Sequence, residues 1–268
     1  MKVSIIIPAY NEEKRIDNTL KEYSEYFKRL KREKVLDKEK KSFNFEIIIV
    51  INNTKDRTEE IVKNYSKKYK EIRFLNFKEG GKGFAITEGF KDALKRGNDL
   101  IGFVDADMAT PPESFYDLIN NIENYDGIIA SRWIKGSVIK TRQSFKRRIL
   151  SRGFNFIVRA LFFLKFKDTQ CGAKLFKRNV IQSIVNEINL TQWAFDVNLL
   201  YLCKKKKFRV KEQPTIWEDK VDSKLNVTKI PIQMFLGVIR LRLINSFFEP
   251  ILRPVKFILR IGDRLINK

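Results

Sequence analysis

The chain has 268 residues, a formal net charge of +22, 43% hydrophobic residues and no histidine. That length and apolar content suffice for one large α/β domain or two small ones, and the charge predicts attraction to polyanions: nucleic acid, an anionic membrane surface or phosphorylated substrates, over a background of solvated lysines. The lack of histidine excludes Ser-His and Cys-His nucleophilic chemistry, and with only Cys171 and Cys203 as thiols it argues against a zinc site.

Catalysis in such a chain must run on carboxylates, a metal, or an ionised group of the substrate itself. Two cysteines and no signal peptide fit a reducing, cytoplasmic compartment.

Residues 2–7 form a short apolar run ended by Pro8, which predicts a buried opening strand. Asn11 is placed to cap a helix whose apolar positions Ile16, Leu20, Tyr23, Phe27 and Leu30 follow helical spacing. Residues 31–42 are almost entirely charged and read as a solvated loop or helix extension. A second strand over 45–51 leads into the turn Asn52, Asn53, Thr54, then a helix carrying Ile61, Val62 and Tyr65. A third strand spans 72–77. A glycine-rich turn over 79–83 precedes a helix with Ala85, Ile86, Phe90 and Leu94.

The apolar strand at 99–104 runs into two carboxylates one residue apart, Asp105 and Asp107. Thr110 and Glu113 have capping-box spacing, and Pro111 sits where a first helical residue is favoured. An isolated Asp-x-Asp is short and common, and more often caps a helix or solvates a turn. At the carboxyl end of a buried parallel strand, where open α/β sheets bind ligands, it suits Mg²⁺ or Mn²⁺ with positions left for a diphosphate. A fifth strand follows at 127–131. Repeated strand–helix alternation predicts a mostly parallel, Rossmann-like sheet covered on both faces. No GxGxxG follows the first strand and no GxxxxGK[ST] is present, which speaks against a dehydrogenase or a phosphate-loop nucleotidase.

Residues 140–152 are basic, with Arg142, Lys146, Arg147, Arg148 and Arg152, and the apolar segment 154–166 follows. It is too short and too charged to span a bilayer of ~30 Å. Such a segment is by default a core helix; the basic cluster before it favours the membrane interface. Residues 191–203 place Asp196 among Phe195, Leu199, Leu202 and Cys203 at helical spacing. A carboxylate there must be paired, ligating or catalytic, a salt bridge to an arginine being the plain alternative. A last strand is predicted over 208–217. From 229 onward the chain is apolar and basic together and cut by Pro231, Pro250 and Pro254, a pattern of amphipathic helices on an anionic membrane, on the domain, or on a second subunit. The expected division is therefore a catalytic domain over 1–228 and a basic amphipathic tail over 229–268.

IIIPAYNEE near the start, Asp-x-Asp after a strand, and IIASRW resemble family 2 inverting glycosyltransferases of the GT-A fold. DTQCGAKLF, QWAFDVNLLYL and DSKLN narrow the resemblance to dolichyl-phosphate glucosyltransferases and, more broadly, polyprenyl-phosphate sugar synthases such as dolichyl-phosphate mannose synthase. The likeness runs from about residue 3 to about residue 243. It implies transfer of a hexose, glucose from UDP-glucose, to dolichyl phosphate with inversion. GDP-mannose or UDP-N-acetylglucosamine is the alternative donor, and a basic nucleic-acid-binding protein is a distant alternative resting on charge alone. By motif matching, Pro8, Ala9, Tyr10 and Glu12 line the nucleotide pocket, Asn52 and Lys82 face the nucleotide, and Asp105, Ala106 and Asp107 contact the donor. Asp107, with Asp105, holds the Mg²⁺ or Mn²⁺. Arg132, Arg148 and Ser151 hold the acceptor phosphate, Gln170 faces the reacting centre, and Asp196 orients or acts electrostatically.

Three departures stand out. Relatives have VDDGS after the second strand where this chain has VINNT, so Asn52 replaces an aspartate; its amide can still pair with a uracil edge. Ala109 stands where some mannose synthases carry a metal-binding Gln. The chain begins at the first strand, so membrane contact, expected as peripheral and on the cytoplasmic face, falls to the amphipathic segments. The oligomeric state stays open, an oligomer included.

Overall fold

The computed structural model describes residues 1–36, 43–141, 145–188, 194–218 and 229–245. The DSKLN motif, residues 191–193, Arg142 and the tail beyond 245 lie outside the described residues. In chain order the elements are β1 (Lys2–Ala9), α1 (Ile16–Leu36), β2 (Asn44–Asn52), α2 (Thr58–Lys68), β3 (Ile72–Phe77), α3 (Lys82–Lys95), β4 (Leu100–Val104), α4 (Pro112–Asn120) and β5 (Gly127–Ser131). There follow β6 (Val138–Ile139), α5 (Phe145–Phe162), β7 (Ala173–Lys177), α6 (Arg178–Ile184), α7 (Phe195–Lys205), β8 (Val210–Pro214), β9 (Ile216–Trp217) and α8 (Lys229–Ile244).

Seven strands form one sheet in the order β3-β2-β1-β4-β7-β5-β8. All neighbours are parallel except β7, which runs antiparallel to both β4 and β5. The apolar runs of β1 and β2 are buried on both sides, as a covered parallel sheet requires. Ile5, Ile7, Ile47 and Ile49 face α1 through Leu20, Tyr23 and Phe27, while Ile6, Ile48 and Val50 face Ile86 and Phe90 of α3 and Leu199 of α7. The chain leaves β1 toward β2 and β3 and then returns to β4 on the other side of β1. This reversal splays the connections at the carboxyl ends of β1 and β4 and opens a cleft there.

Several local expectations shift. β1 continues through Pro8, which lies in register with Val50 but beyond the last β1–β4 pair, so one side of the strand is an edge there and the missing N–H is tolerated. Asn11 is not a helix cap: its Oδ1 accepts from Lys55 N at 2.8 Å and ties two loops together. Pro111 rather than Thr110 is the N-cap of α4, with Pro112 as first helical residue and no side-chain cap. Thr110 is buried instead, and its carbonyl accepts from the Tyr23 hydroxyl at 2.8 Å. β7 was not legible as a strand because two lysines interrupt AKLFK.

α5 has one face in the core, through Val158 and Phe162, and leaves Phe156 and Phe163 69% and 70% exposed beside it. α8 packs on α5, buries Val238 and Leu241, and leaves Phe235, Leu236 and Leu243 exposed. Among the described residues no helix is long and apolar enough to cross a membrane.

Candidate active site

The turn after β4 is built to present two acids. Asp107 Oδ1 accepts from Ala109 N at 2.9 Å, and Met108 takes φ 60°, which closes the turn tightly. Ala106 and Ala109 are buried beneath it, and the Ala106 carbonyl is fixed by Thr19 Oγ1 at 2.7 Å. Ala106 therefore offers backbone rather than side chain. Asp105 points back toward the loop before β7, where Gly172 leaves room for it: a Cβ on Gly172 would fall 1.9 Å from Asp105 Oδ2.

Lys82, the first residue of α3, reaches Asp105 Oδ1 at 2.6 Å and lies 3.8 Å from Asp196 Oδ2. Desolvation opposes its charge, but Asp105 and Asp196 hold its pKa above the ordinary lysine value. Desolvation pushes the Asp105 carboxyl up; Lys82 opposes this, while Asp107 and Asp196 add to it. Asp196 sits in the first turn of α7, and its Oδ1 accepts from Lys174 Nζ at 2.6 Å. Lys174 comes from β7, is 0% exposed, and also donates to the Cys171 carbonyl at 2.7 Å. The partner of Asp196 is thus a pair of lysines, not an arginine.

Arg132 follows β5 and is locked to Asp168 through three bonds: backbone N to Oδ2 at 2.9 Å, Nε to Oδ2 at 2.7 Å, and a terminal nitrogen to Oδ1 at 2.9 Å. Burial opposes ionisation of Asp168, but the Arg132 charge wins and holds its pKa below the ordinary carboxylate value. Arg132 also lies over the Trp217 ring at 5.1 Å, and Arg152 over the Trp133 ring at 5.2 Å. Beside them is a cavity of about 410 Å³ lined by Arg132, Trp133, Ile134, Lys135, Ile139, Arg148 and Arg152. Arg148 therefore lines the same cavity as Arg132. Ser151, half-buried on α5, is not among its lining residues.

At the other side of the cleft, Tyr10 is 51% exposed, while Ala9 is buried. Glu12 binds Arg15 at 2.7 and 2.8 Å, and desolvation, against Arg15 and reinforced by Asp107 and Asp105, raises its pKa. Asn52 is buried; with its amide turned as its neighbours require, its nitrogen donates to Ala9 O at 3.1 Å and its oxygen accepts from Gly81 N at 3.0 Å. These two bonds use one N–H and one lone pair of the amide, so Asn52 helps to fix the shape of the pocket wall. Gln170 has its backbone N on Asp168 Oδ1 at 3.2 Å and a buried Nε2 without a hydrogen-bond partner among the described residues.

The residues fit a hard divalent cation with few protein ligands. Two carboxylates sit one residue apart, and the second oxygen of Asp107 has no partner among the described residues. No third His, Cys, Asp or Glu converges with them among those residues, consistent with Ala109 in place of a further ligand. Five contributors were missed by sequence: Lys174, Asp168, Gly172, Trp133 and Trp217. The aspartate inside an apolar helix, Asp196, was the one signal that pointed to a buried charged pair.

The fold thus places two acids at a switch-point cleft after β4 and a cavity lined by Arg132, Arg148 and Arg152 after β5. Residues 4–185 match the model for glycosyl transferase family 2, and the chain belongs to that family and is a glycosyltransferase. Among its relatives, a dolichyl-phosphate beta-glucosyltransferase of Dictyostelium discoideum is 35% identical over 251 residues, covering 90% of this chain and 73% of the relative. One from Trichomonas vaginalis is 34% identical over 246 residues, covering 89% and 72%. The Homo sapiens protein of the same name is 32% identical over 235 residues, covering 84% and 69%. The fold also matches glucosyl-3-phosphoglycerate synthase of Mycobacterium tuberculosis solved with UDP, at TM-score 0.64 and 13% identity over 92% of this chain and 82% of that one. The same synthase solved with Mn²⁺, UDP and glucosyl-3-phosphoglycerate gives TM-score 0.62 at 12% identity, covering 92% and 81%.

Proposed function

We propose that this chain transfers glucose from UDP-glucose to dolichyl phosphate with inversion, in a divalent-cation-dependent reaction at a membrane surface. The observation that carries this reading is the loop over residues 168–172. Asp168 holds Arg132 at the edge of the basic cavity, and Gly172 makes room for Asp105, so one loop joins that cavity to the paired acids. The names of the relatives supply the sugar and the lipid.

A polyprenyl phosphate is ionised at neutral pH, so its oxygen attacks the anomeric carbon with little help from a base, and the absence of histidine is no obstacle. The protein's task is positioning and charge stabilisation. Arg132, held by Asp168 through Nε and one terminal nitrogen, offers its other terminal nitrogen and its charge to the acceptor phosphate, and Arg148, lining the same cavity, supplies a guanidinium fork that matches phosphate oxygens. Arg152 lines the same cavity and joins them; Ser151 is assigned only by its motif. Tyr10 offers an exposed ring to the nucleotide base, with Pro8, Ala9 and Glu12 forming that wall and Asn52 fixing its shape. Lys82 and the start of α3 face the diphosphate. A Mg²⁺ or Mn²⁺ held by Asp107 and Asp105 would neutralise the departing nucleoside diphosphate. Gln170 supplies a buried donor for the reacting groups, and Asp196 orients Lys82.

The exposed apolar residues on α5 and α8, among arginines, support attachment to anionic lipid. The test is incubation with dolichyl phosphate in vesicles, Mn²⁺, and labelled UDP-glucose, GDP-mannose or UDP-N-acetylglucosamine in turn. Label entering a mild-acid-labile lipid from UDP-glucose alone is the expected result. Label from another donor reassigns the sugar, and no labelled lipid from any donor refutes the reading. Asp107→Ala is expected to abolish transfer without unfolding the chain.

A further inference from the structure

The Asp105 carboxylate already holds a cation. Lys82 Nζ is 2.6 Å from Asp105 Oδ1, in contact with the oxygen that a metal ligand would offer. Two positive charges cannot share one carboxylate oxygen at contact distance without strong repulsion. A second acceptor is in reach, since Asp196 Oδ2 lies 3.8 Å from the same nitrogen. We propose that Lys82 is the resident counter-ion of the acidic seat, pairing with Asp105 while the seat is empty and transferring to Asp196 when a divalent cation takes Asp105. This rests on the reading of Asp105 and Asp107 as the metal seat.

The surroundings fix everything except the lysine's tip. Lys82 opens α3, whose N-cap Gly81 has φ 117°, and the next residue, Gly83, lets the helix approach α7 so closely that a Cβ there would lie 2.9 Å from Phe195 Cδ2. The root of Lys82 is therefore held at a set distance from Asp196 in the first turn of α7. Asp196 does not swing, because Lys174 grips its other oxygen at 2.6 Å and is itself anchored on the Cys171 carbonyl. The Phe103 ring lies beneath both ammonium groups, 5.8 Å from Lys82 Nζ and 5.4 Å from Lys174 Nζ. A flexible four-carbon stem lets the end of the half-buried Lys82 move between two fixed acids. The exchange spares the empty seat the repulsion between its acids, and Lys82 stays beside the donor's diphosphate once the metal is in place.

The experiment is titration of the full chain with Mn²⁺ in the absence of nucleotide, free Mn²⁺ being read by electron paramagnetic resonance at one fixed pH. Lys82→Met is expected to bind Mn²⁺ about tenfold more tightly than wild type, because it removes the competing cation. Lys82→Gln repeats the test should the Met variant fold poorly. Asp196→Asn is expected to weaken binding, since Lys82 then has nowhere to go, and to weaken it much less in the Lys82→Met background. Unchanged or weaker binding in both Lys82 variants overturns the proposal, as does an equal effect of Asp196→Asn in both backgrounds. Asp107→Ala separates the two levels: if it binds Mn²⁺ like wild type, the seat itself is misassigned; if it loses binding while the Lys82 variants leave affinity unchanged, only the exchange fails.

Discussion

Substituting Gly172→Ala tests the geometry of the acidic centre with a single methyl group. Gly172 is not in the left-handed region, so the change adds no backbone strain. Its new Cβ would meet Asp105 Oδ2 at 1.9 Å and Cγ at 2.3 Å, far inside the 3.0 Å below which real contacts essentially never fall. The Asp105 carboxylate must retreat by roughly 1 Å or more, and a displacement of that size at a reacting centre costs about 100-fold in rate. The main-chain bond from Asp105 N to Gly172 O, 3.1 Å long, resists moving the loop instead. Steady-state kcat/KM for glucosyl transfer should fall by about two orders of magnitude, while the thermal midpoint shifts by only a few degrees. The decisive comparison is the double variant with Asp105→Ala: once the carboxylate is gone, the added methyl should have little further effect. A Gly172→Ala enzyme with wild-type turnover, or a loss fully additive with Asp105→Ala, would refute the steric account.

Three further outcomes follow from other parts of the site. Lys174→Met leaves Asp196 partly buried beside Lys82 alone, and should destabilise the fold by about 3 kcal/mol; Lys174→Met with Asp196→Leu should recover most of this, as urea denaturation would register. Asp168 has its folded pKa below the unfolded value through Arg132, so its contribution is fully present above the unfolded carboxylate pKa and is lost as pH falls through the lower folded value. The stability gap between wild type and Asp168→Asn should therefore be constant near neutrality and shrink below about pH 4, measured by urea midpoints across that range. Trp133→Leu removes the ring under Arg152 and should raise the KM for dolichyl phosphate several-fold, leaving the donor KM unchanged; an altered donor KM would tie that tryptophan to the wrong half of the site.

Much of the framework was readable in the chain. Residues 5–7 of β1 and 47–51 of β2 are continuously apolar because both faces are covered, and with the strand–helix alternation that pattern announces a parallel sheet. Asp105 and Asp107 were legible because their strand ends where the sheet opens. Tertiary contact decided the rest. β7 enters antiparallel between β4 and β5 with Lys174 at 0% exposure, which no hydropathy pattern suggests, since the lysine is tolerated only by an aspartate 22 residues away. Asn52 showed no intramolecular partner in the sequence, yet Ala9 and Gly81 lie within hydrogen-bond reach of its amide. Arg132 looked free to turn its whole fork to phosphate, yet Asp168, 36 residues on, takes Nε and one terminal nitrogen and leaves the other for a ligand. Sequence by itself set the strand–helix alternation, the acidic turn and the exclusion of histidine chemistry, because these depend on residue type and short spacing. Which charges face each other was settled only in three dimensions, because burial makes an ionised group stable solely through the partner that folding brings to it.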